Sequence, residues 1–266
     1  MATGRGIERS FQCPAHNDTH ASASVNTIKG VWVCYACGAH GVLSDVKVPE
    51  IDQIIAILQG SSVARTYPEA WLDTFDAHQP SPYWSRRYGE DVASMNRCGT
   101  DPVGGQPTYP MRNKEGAVWG VVTRSETALK YRYPTGVSAA STLFGQIKPA
   151  PVVVLVEGAS DVMALQQGGV PQHWTVLGCY GAGLHMPQKQ IVVDCGPRAV
   201  VAAFDDDVAG RNATLRTESQ LHDVAPVLSH HWSTMNAKDP GDVPIAEARI
   251  NSIRNTLTSS TYAKYA

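Results

Sequence analysis

Two groups of residues in this chain have the types and spacing to do chemistry. The first is thiol and imidazole. Cys13 and His16 lie in "CPAHND", and Cys34 and Cys37 repeat the same two-residue gap in "CYACGAHG". Seventeen residues separate His16 from Cys34, a spacing suited to the two knuckles of a zinc ribbon. Four such ligands close a tetrahedral Zn²⁺ shell and leave no position for a catalytic water, so the zinc is expected to be structural. His20 and His40 compete with His16 for the fourth place. Trp32 and Lys29 lie near the second knuckle, beside Tyr35. These side chains could stack on bases and hold phosphate; filling the ribbon's small core is the equal alternative for Trp32.

The second group is carboxylate. The apolar run "PVVVLV" leads directly into Glu157, and "RAVVAAF" leads into Asp205, Asp206 and Asp207. In a parallel sheet, ligands bind outside the carboxyl ends of the strands, so neighbouring strands would bring Glu157 and Asp205 to one edge. Asp205 and Asp207 can share a face of an extended segment, with Asp206 turned elsewhere as a solvated loop residue. Gly210 permits a tight turn into the next helix. Asp161 lies one helical turn beyond Glu157, and "KDPGD" adds Asp239 and Asp242. Clustered carboxylates repel unless cations neutralise them, and hard oxygen donors suit Mg²⁺ or Mn²⁺. The expected ligands are Glu157, Asp161, Asp205, Asp207 and Asp239. Asp242 is set aside as a direct ligand.

The elements that must position these groups divide the chain into a ribbon (1–47), a helix and linker (48–67), a middle part (68–150), a parallel α/β part (151–244) and a tail (245–266). The helix rests on "PEIDQIIAILQG", whose apolar residues fall at helical spacing, and "SSVARTYP" reads as linker. In the middle part "PEAWLDTF" and "SPYWSRRYGEDVASMNRC" read as helical, whereas "QPTYPMR", "AVWGVVTR" and "LKYRYP" read as strands. Continuous β-branched runs alternating with helices then imply a parallel sheet covered on both faces. "GCYGAGLHMP" reads as a plain loop, and the tail as a helix packing back through Ile245, Ala248 and Ile253. Cys98, Cys179 and Cys195 are far apart and read as buried small residues.

Composition limits the classes. With 266 residues, 43% of them hydrophobic, the chain can bury a sizeable core, and its net charge of −2 excludes a histone-like nucleic-acid binder. A local basic groove is still allowed. No apolar run reaches the ~20 residues of a membrane span, and "MATGRGIERSFQC" has no signal-peptide core. A cytoplasmic protein without membrane contact is expected.

Taken together, the motifs resemble the DnaG-type primases of bacteria and their phages. "CPAHND…SASV…VWVCYACGAHGV" resembles that family's zinc ribbon, and "VVVLVEGASDVMAL", "VVAAFDDDVAGR" and "KDPGD" resemble the three motifs of its Toprim domain. The resemblance runs over about residues 10 to 245. It implies an α/β fold: a Toprim parallel sheet with an α+β basic subdomain, preceded by a small β zinc ribbon. It also implies Glu157, Asp205 and Asp207 as catalytic residues. Arg112, Arg124 and Lys130 match strand positions of the basic subdomain, Arg132 adds to the same groove, and either Arg86 or Arg87 takes the family's arginine in "SRRYG". The implied partners are single-stranded DNA template, NTPs and RNA primer. No G-x-x-x-x-G-K-[ST] loop occurs in the sequence, so a separate replicative helicase is expected, as for a phage or plasmid primase. The competing readings are a Toprim nuclease and a RecR-like, non-enzymatic recombination mediator.

Overall fold

The computed structural model describes residues 8–13, 15–16, 21–26, 30–42, 66–75, 81–125, 130–134 and 137–266. The chain forms two compact units, Met1–Arg65 with Thr135–Val137, and Thr66–Pro134 with Ser138–Ala266. The helix expected over "PEIDQIIAILQG" lies outside the described residues, as do His20 and Lys29.

The first unit is an antiparallel sheet of β1 (Glu8–Phe11), β2 (Ala23–Asn26), β3 (Val31–Cys34) and β4 (His40–Val42), in that order. Among the described residues its buried core is Cys13, Ala23, Val25, Trp32 and Cys34, with Phe11 and Ala39 packed against it.

The second unit contains two sheets. The antiparallel one orders β5 (Gly99–Thr100), β6 (Pro107–Arg112), β7 (Val118–Arg124) and β8 (Tyr131–Arg132) consecutively. The parallel one orders its strands β10-β9-β11-β12, from β9 (Val152–Val156), β10 (Trp174–Gly178), β11 (Ala199–Ala202) and β12 (Val227–Ser229). Every residue of β9, β10 and β11 is buried, as continuous apolar strands require when both faces are covered.

The middle and parallel parts share one packed body. Phe144 and Gly178 exchange backbone hydrogen bonds of 2.9 and 2.8 Å, and the Cys98 thiol lies 3.6 Å from Met163 Sδ. The last residues of the expected linker belong here too, since the Tyr67 N–H donates to Val118 O at 2.8 Å. "PEAWLDTF" forms a 3₁₀ helix over Glu69–Phe75. The stretch after it is two helices, α1 (Pro82–Tyr88) and α2 (Glu90–Met95), broken at Gly89, whose φ of 90° a residue with a side chain rarely adopts.

Four helices cover the parallel sheet: α3 (Ala159–Gln167), α4 (Met186–Asp194), α5 (Val208–Leu221) and α6 (Ala246–Thr258). The sequence reading contains no α4; it begins within "GCYGAGLHMP", with Pro187 in its first turn. The tail does pack back, through Ile253 as expected and also through Ile250 and Leu257, while Ile245 is exposed. Arg249 is buried beside them and donates to Val243 O, Ala164 O and Gln167 Oε1. Cys98, Cys179 and Cys195 are buried free thiols. Among the described residues, no helix is long and apolar enough to cross a membrane.

Candidate active site

The parallel register fixes where the acids emerge. Leu155 of β9 pairs with Ala202 of β11, so Glu157 and Asp205 leave neighbouring strands at the same carboxyl edge. The Asp205 backbone N–H lowers the Glu157 pKa, a small effect beside burial and the neighbouring acids. Asp161, in the first turn of α3, accepts from the Gly158 N–H at 2.9 Å. Asp239 accepts from the Asp242 N–H at 3.1 Å. Asp161, Asp205 and Asp239 each bring a carboxylate oxygen to within 4.8 Å of the others.

This convergence is electrostatically unfavourable without a cation. Burial, followed by the charges of Asp205 and Asp239, pushes Asp161 up to about 7. Burial, followed by Asp205 and Asp207, pushes Glu157 up to about 7. Glu157 Oε1 is buried with no hydrogen-bond partner among the described residues. Three converging carboxylates and an orphaned fourth form a donor set that fits a hard divalent ion such as Mg²⁺ or Mn²⁺.

Asp207 and Asp206 have other partners. Asp207 caps α5, accepting from the Gly210 N–H at 3.0 Å, and that bond with Lys238 holds it below the usual carboxylate range. Lys238 Nζ lies 3.0 Å from Asp205 Oδ2 and 3.1 Å from Asp207 Oδ2, and the two contacts raise the ammonium's pKa. Asp206 is not the solvated loop residue that its place in the run suggests. Its side chain is only 10% exposed, and Oδ2 accepts from the Ser233 N–H at 2.8 Å. Burial alone would raise its pKa, but the Ser233 bonds and nearby His231 outweigh burial and lower it. Its own N–H donates to Lys238 O at 2.8 Å, so Asp206 ties the strand end to the loop that carries Lys238 and Asp239. Asp242 accepts from the Lys238 N–H at 3.2 Å, within the same loop. Gly210 is required by close approach: a Cβ there would run into the Asp205 carbonyl oxygen.

Opposite the acids stands a basic and aromatic wall. A cavity of about 240 Å³ is lined by Glu157, Asp161, Asp205 and Asp239, and also by Arg87, Arg124, Lys130, Tyr88, Tyr131, Tyr133 and Tyr180. The Arg124 guanidinium lies 4.6 Å from the centre of the Tyr83 ring, and its Nε is buried without a partner among the described residues. Arg87 Nε donates to Tyr88 Oη at 2.8 Å. Tyr131 Oη lies 3.1 Å from Ser160 Oγ. A larger cavity of about 430 Å³ is lined by Arg112, Lys114 and Gln146 but by none of these acids.

The structure therefore sorts the sequence candidates. Arg87, Arg124 and Lys130 face the acids. Arg86 is exposed and donates to Pro82 O in its own helix. Arg112 is engaged by Glu69 through two contacts of 2.7 Å, and Arg132 is exposed on β8. Trp32 packs into the ribbon core, 5.8 Å from Phe11. Lys238, Tyr180 and the anchoring function of Asp206 have no counterpart in the sequence reading. Lys238 stands in the quoted "KDPGD", beside the aspartate that drew attention. Tyr180 has no periodic signal at all; it follows the end of β10 by two residues, with a φ of 58°, and lines the cavity.

In the first unit, Cys13, His16, Cys34 and Cys37 bring ligand atoms within 4.8 Å of one another. Cys13 and Cys37 Sγ are 3.7 Å apart, close to the ~3.8 Å edge of a tetrahedron with Zn–S bonds of about 2.3 Å. Burial would raise the Cys34 thiol, but the Ser22 hydroxyl and backbone N–H groups hold it down to about 6. His40 is outside this group and lies 3.2 Å from Gly38 O. The donor set suits zinc.

The sequence profile of the Toprim-like family matches residues 154–243. This segment is Toprim-like. No curated protein matches the sequence. Among solved structures, the primase fragment of the bacteriophage T7 primase-helicase is 18% identical, with 93% of this chain and 99% of that chain covered and a TM-score of 0.50. The RNA polymerase domain of Mycobacterium tuberculosis primase DnaG, in complex with double-stranded DNA, is 20% identical over 69% of this chain and 77% of that chain, with a TM-score of 0.51. A DnaG primase catalytic domain bound to single-stranded DNA is 19% identical over 72% and 83%, with a TM-score of 0.50. The Toprim-like segment thus sits in a chain with the fold of these primases.

Proposed function

We propose that this protein is a DNA primase, which makes short RNA primers on single-stranded DNA by metal-dependent nucleotidyl transfer. Template, NTPs, the growing primer and a replicative helicase are its partners. The carrying observation is the single cavity in which strand-end carboxylates face Arg87, Arg124 and Lys130. A site that joins a 3′-hydroxyl to a triphosphate needs both walls: acids to hold cations, and fixed positive charge for phosphates that no carboxylate may approach.

Asp161, Asp205 and Asp239 would hold the divalent ion, with Glu157 beside them. When bound, the ion supplies charge that acidifies the attacking hydroxyl and stabilises the α-phosphate. Glu157 Oε1, buried and without a partner among the described residues, would take the hydroxyl proton. Arg124 and Lys130 would bind triphosphate oxygens, Arg124 in an orientation fixed by stacking on Tyr83. Tyr131 and Tyr133 offer faces to a base or ribose beside them. Cys13, His16, Cys34 and Cys37 would hold a structural zinc, whose ribbon presents exposed Tyr35 to the template.

The test is the class of product. Incubated with random-sequence single-stranded DNA, labelled NTPs and Mg²⁺, the protein is expected to release short oligoribonucleotides and leave the template intact. Cleaved template would establish a nuclease instead. DNA binding with neither product, in Mg²⁺ and in Mn²⁺, would favour the mediator.

A further inference from the structure

The acids at the strand ends do not form one undifferentiated cluster. Asp161, Asp205 and Asp239 converge on each other, whereas Asp207 does not join them. One Asp207 oxygen is committed to the helix cap at Gly210, and the other meets Lys238. Lys238 Nζ is nearly equidistant from Asp205 Oδ2 and Asp207 Oδ2, at 3.0 and 3.1 Å. An ion bridging these two aspartates would have to occupy the space the ammonium fills.

Nor is this a side chain that happens to lie nearby. The Lys238 backbone is pinned on both sides: its carbonyl accepts from the Asp206 N–H at 2.8 Å, and its N–H donates to Asp242 Oδ2 at 3.2 Å. The loop that delivers Asp239 to the carboxylate triad therefore also delivers a cation to the next pair of oxygens. A lysine ammonium is a compact point charge with three donors, able to meet two carboxylates at once. It brings one positive charge where a divalent ion would bring two.

We propose that Lys238 takes the place of a second metal ion: the site holds one divalent cation, at Asp161, Asp205 and Asp239, and the Lys238 ammonium bridges Asp205 and Asp207 as its permanent neighbour. Asp207 then positions Lys238 and does not ligate the metal. The inference rests on the metal-binding reading of the acids, but not on what reaction the ion serves.

The experiment is a count. Zinc-loaded protein is titrated with Mn²⁺, and the free aquo ion is read by electron paramagnetic resonance. Wild type is expected to take up one Mn²⁺ in the acidic cleft. Lys238→Gln is expected to take up two, and Asp207→Asn added to Lys238→Gln to return the count to one. Asp161→Asn is expected to weaken the first ion at least tenfold in every background. Lys238→Met, with its melting curve, guards against a replacement that unfolds the loop. Two ions in the wild type, or one in both Lys238 variants, would overturn the proposal. A nuclease built on the same acids would give the same count, so failure of the primase reading would show separately in the product assay.

Discussion

His230 sits just beyond β12 with both ring nitrogens engaged, Nδ1 2.8 Å from Thr256 Oγ1 and Nε2 3.0 Å from Ser252 Oγ, and its ring 4.3 Å from that of Trp232. Burial, reinforced by His231 and opposed by Asp206, lowers its pKa to about 4, against an unfolded value near 6.5. Between those values the unfolded chain binds a proton that the folded chain refuses. The stability this histidine confers is therefore complete above pH ~6.5 and is lost as the pH falls toward 4. The window corresponds to about 3 kcal/mol. In urea titrations at pH 7.5 and pH 4.5, His230→Gln is expected to lose less stability on acidification than the wild type; equal losses would refute the assignment. At this scale the sequence is most legible where residue type restricts chemistry. Cysteines with a repeated gap and carboxylates after apolar runs declared themselves, and the structure brings Cys13, His16, Cys34 and Cys37 together, and Asp161, Asp205 and Asp239. Lysine and arginine do not restrict their role in that way. Arg112 and Arg124 both lie on strands, yet one is held by Glu69 while the other stacks on Tyr83 and faces the acids.

Among the elements, strand-to-helix turns carry the site. The turn from β11 into α5 brings the Gly210 position so close to the Asp205 carbonyl oxygen that a Cβ cannot be placed without moving one of them. The side chain of Asp207 and the backbone of Asp206 hold the same turn from either side. Gly210→Ala is expected to destabilise the protein by about 1–3 kcal/mol through overpacking and to weaken Mn²⁺ binding by displacing Asp205. Calorimetry and the Mn²⁺ titration would measure the two effects, and unchanged values for both would contradict this account of the turn. The parallel strands were legible because double burial writes an unbroken apolar run into each. Helix α4 was not: it follows a glycine-rich loop, and its few buried residues, Gln188, Ile191 and Val192, give a weak amphipathic pattern. The break at Gly89 was hidden for the opposite reason, since helical residues on either side run through one glycine without a gap in the pattern.

For the molecule as a whole, the middle part and the Toprim-like part form one compact unit, although their sequence rhythms differ. The reason is chemical as well as mechanical. The carboxylates come from the ends of β9 and β11, the first turn of α3 and the loop after β12, whereas Arg124 and Lys130 come from β7 and the segment before β8, and Arg87 comes from α1. No one of these elements could hold both charges of the cavity. The bridge between Phe144 and Gly178 and the contact of Cys98 with Met163 keep the two sheets in one core, so the cationic wall is fixed across from the acids rather than assembled on demand. A nucleotidyl-transfer site benefits from such preorganisation, because charges already in place need not reorganise as the transition state forms. In the ribbon, four candidate ligand residues lie together, Cys13 and Cys34 among the buried apolar residues described there. The most direct measurement of the central claim is Mg²⁺-dependent incorporation of labelled NTP on single-stranded DNA by wild type, Asp205→Asn and Arg124→Ala. The account predicts product from wild type, none from Asp205→Asn, and a KM for NTP raised roughly 10- to 100-fold in Arg124→Ala as a charge-assisted phosphate contact is lost. Wild-type rates in both variants would show that the acids and the arginine facing them are not where the reaction takes place.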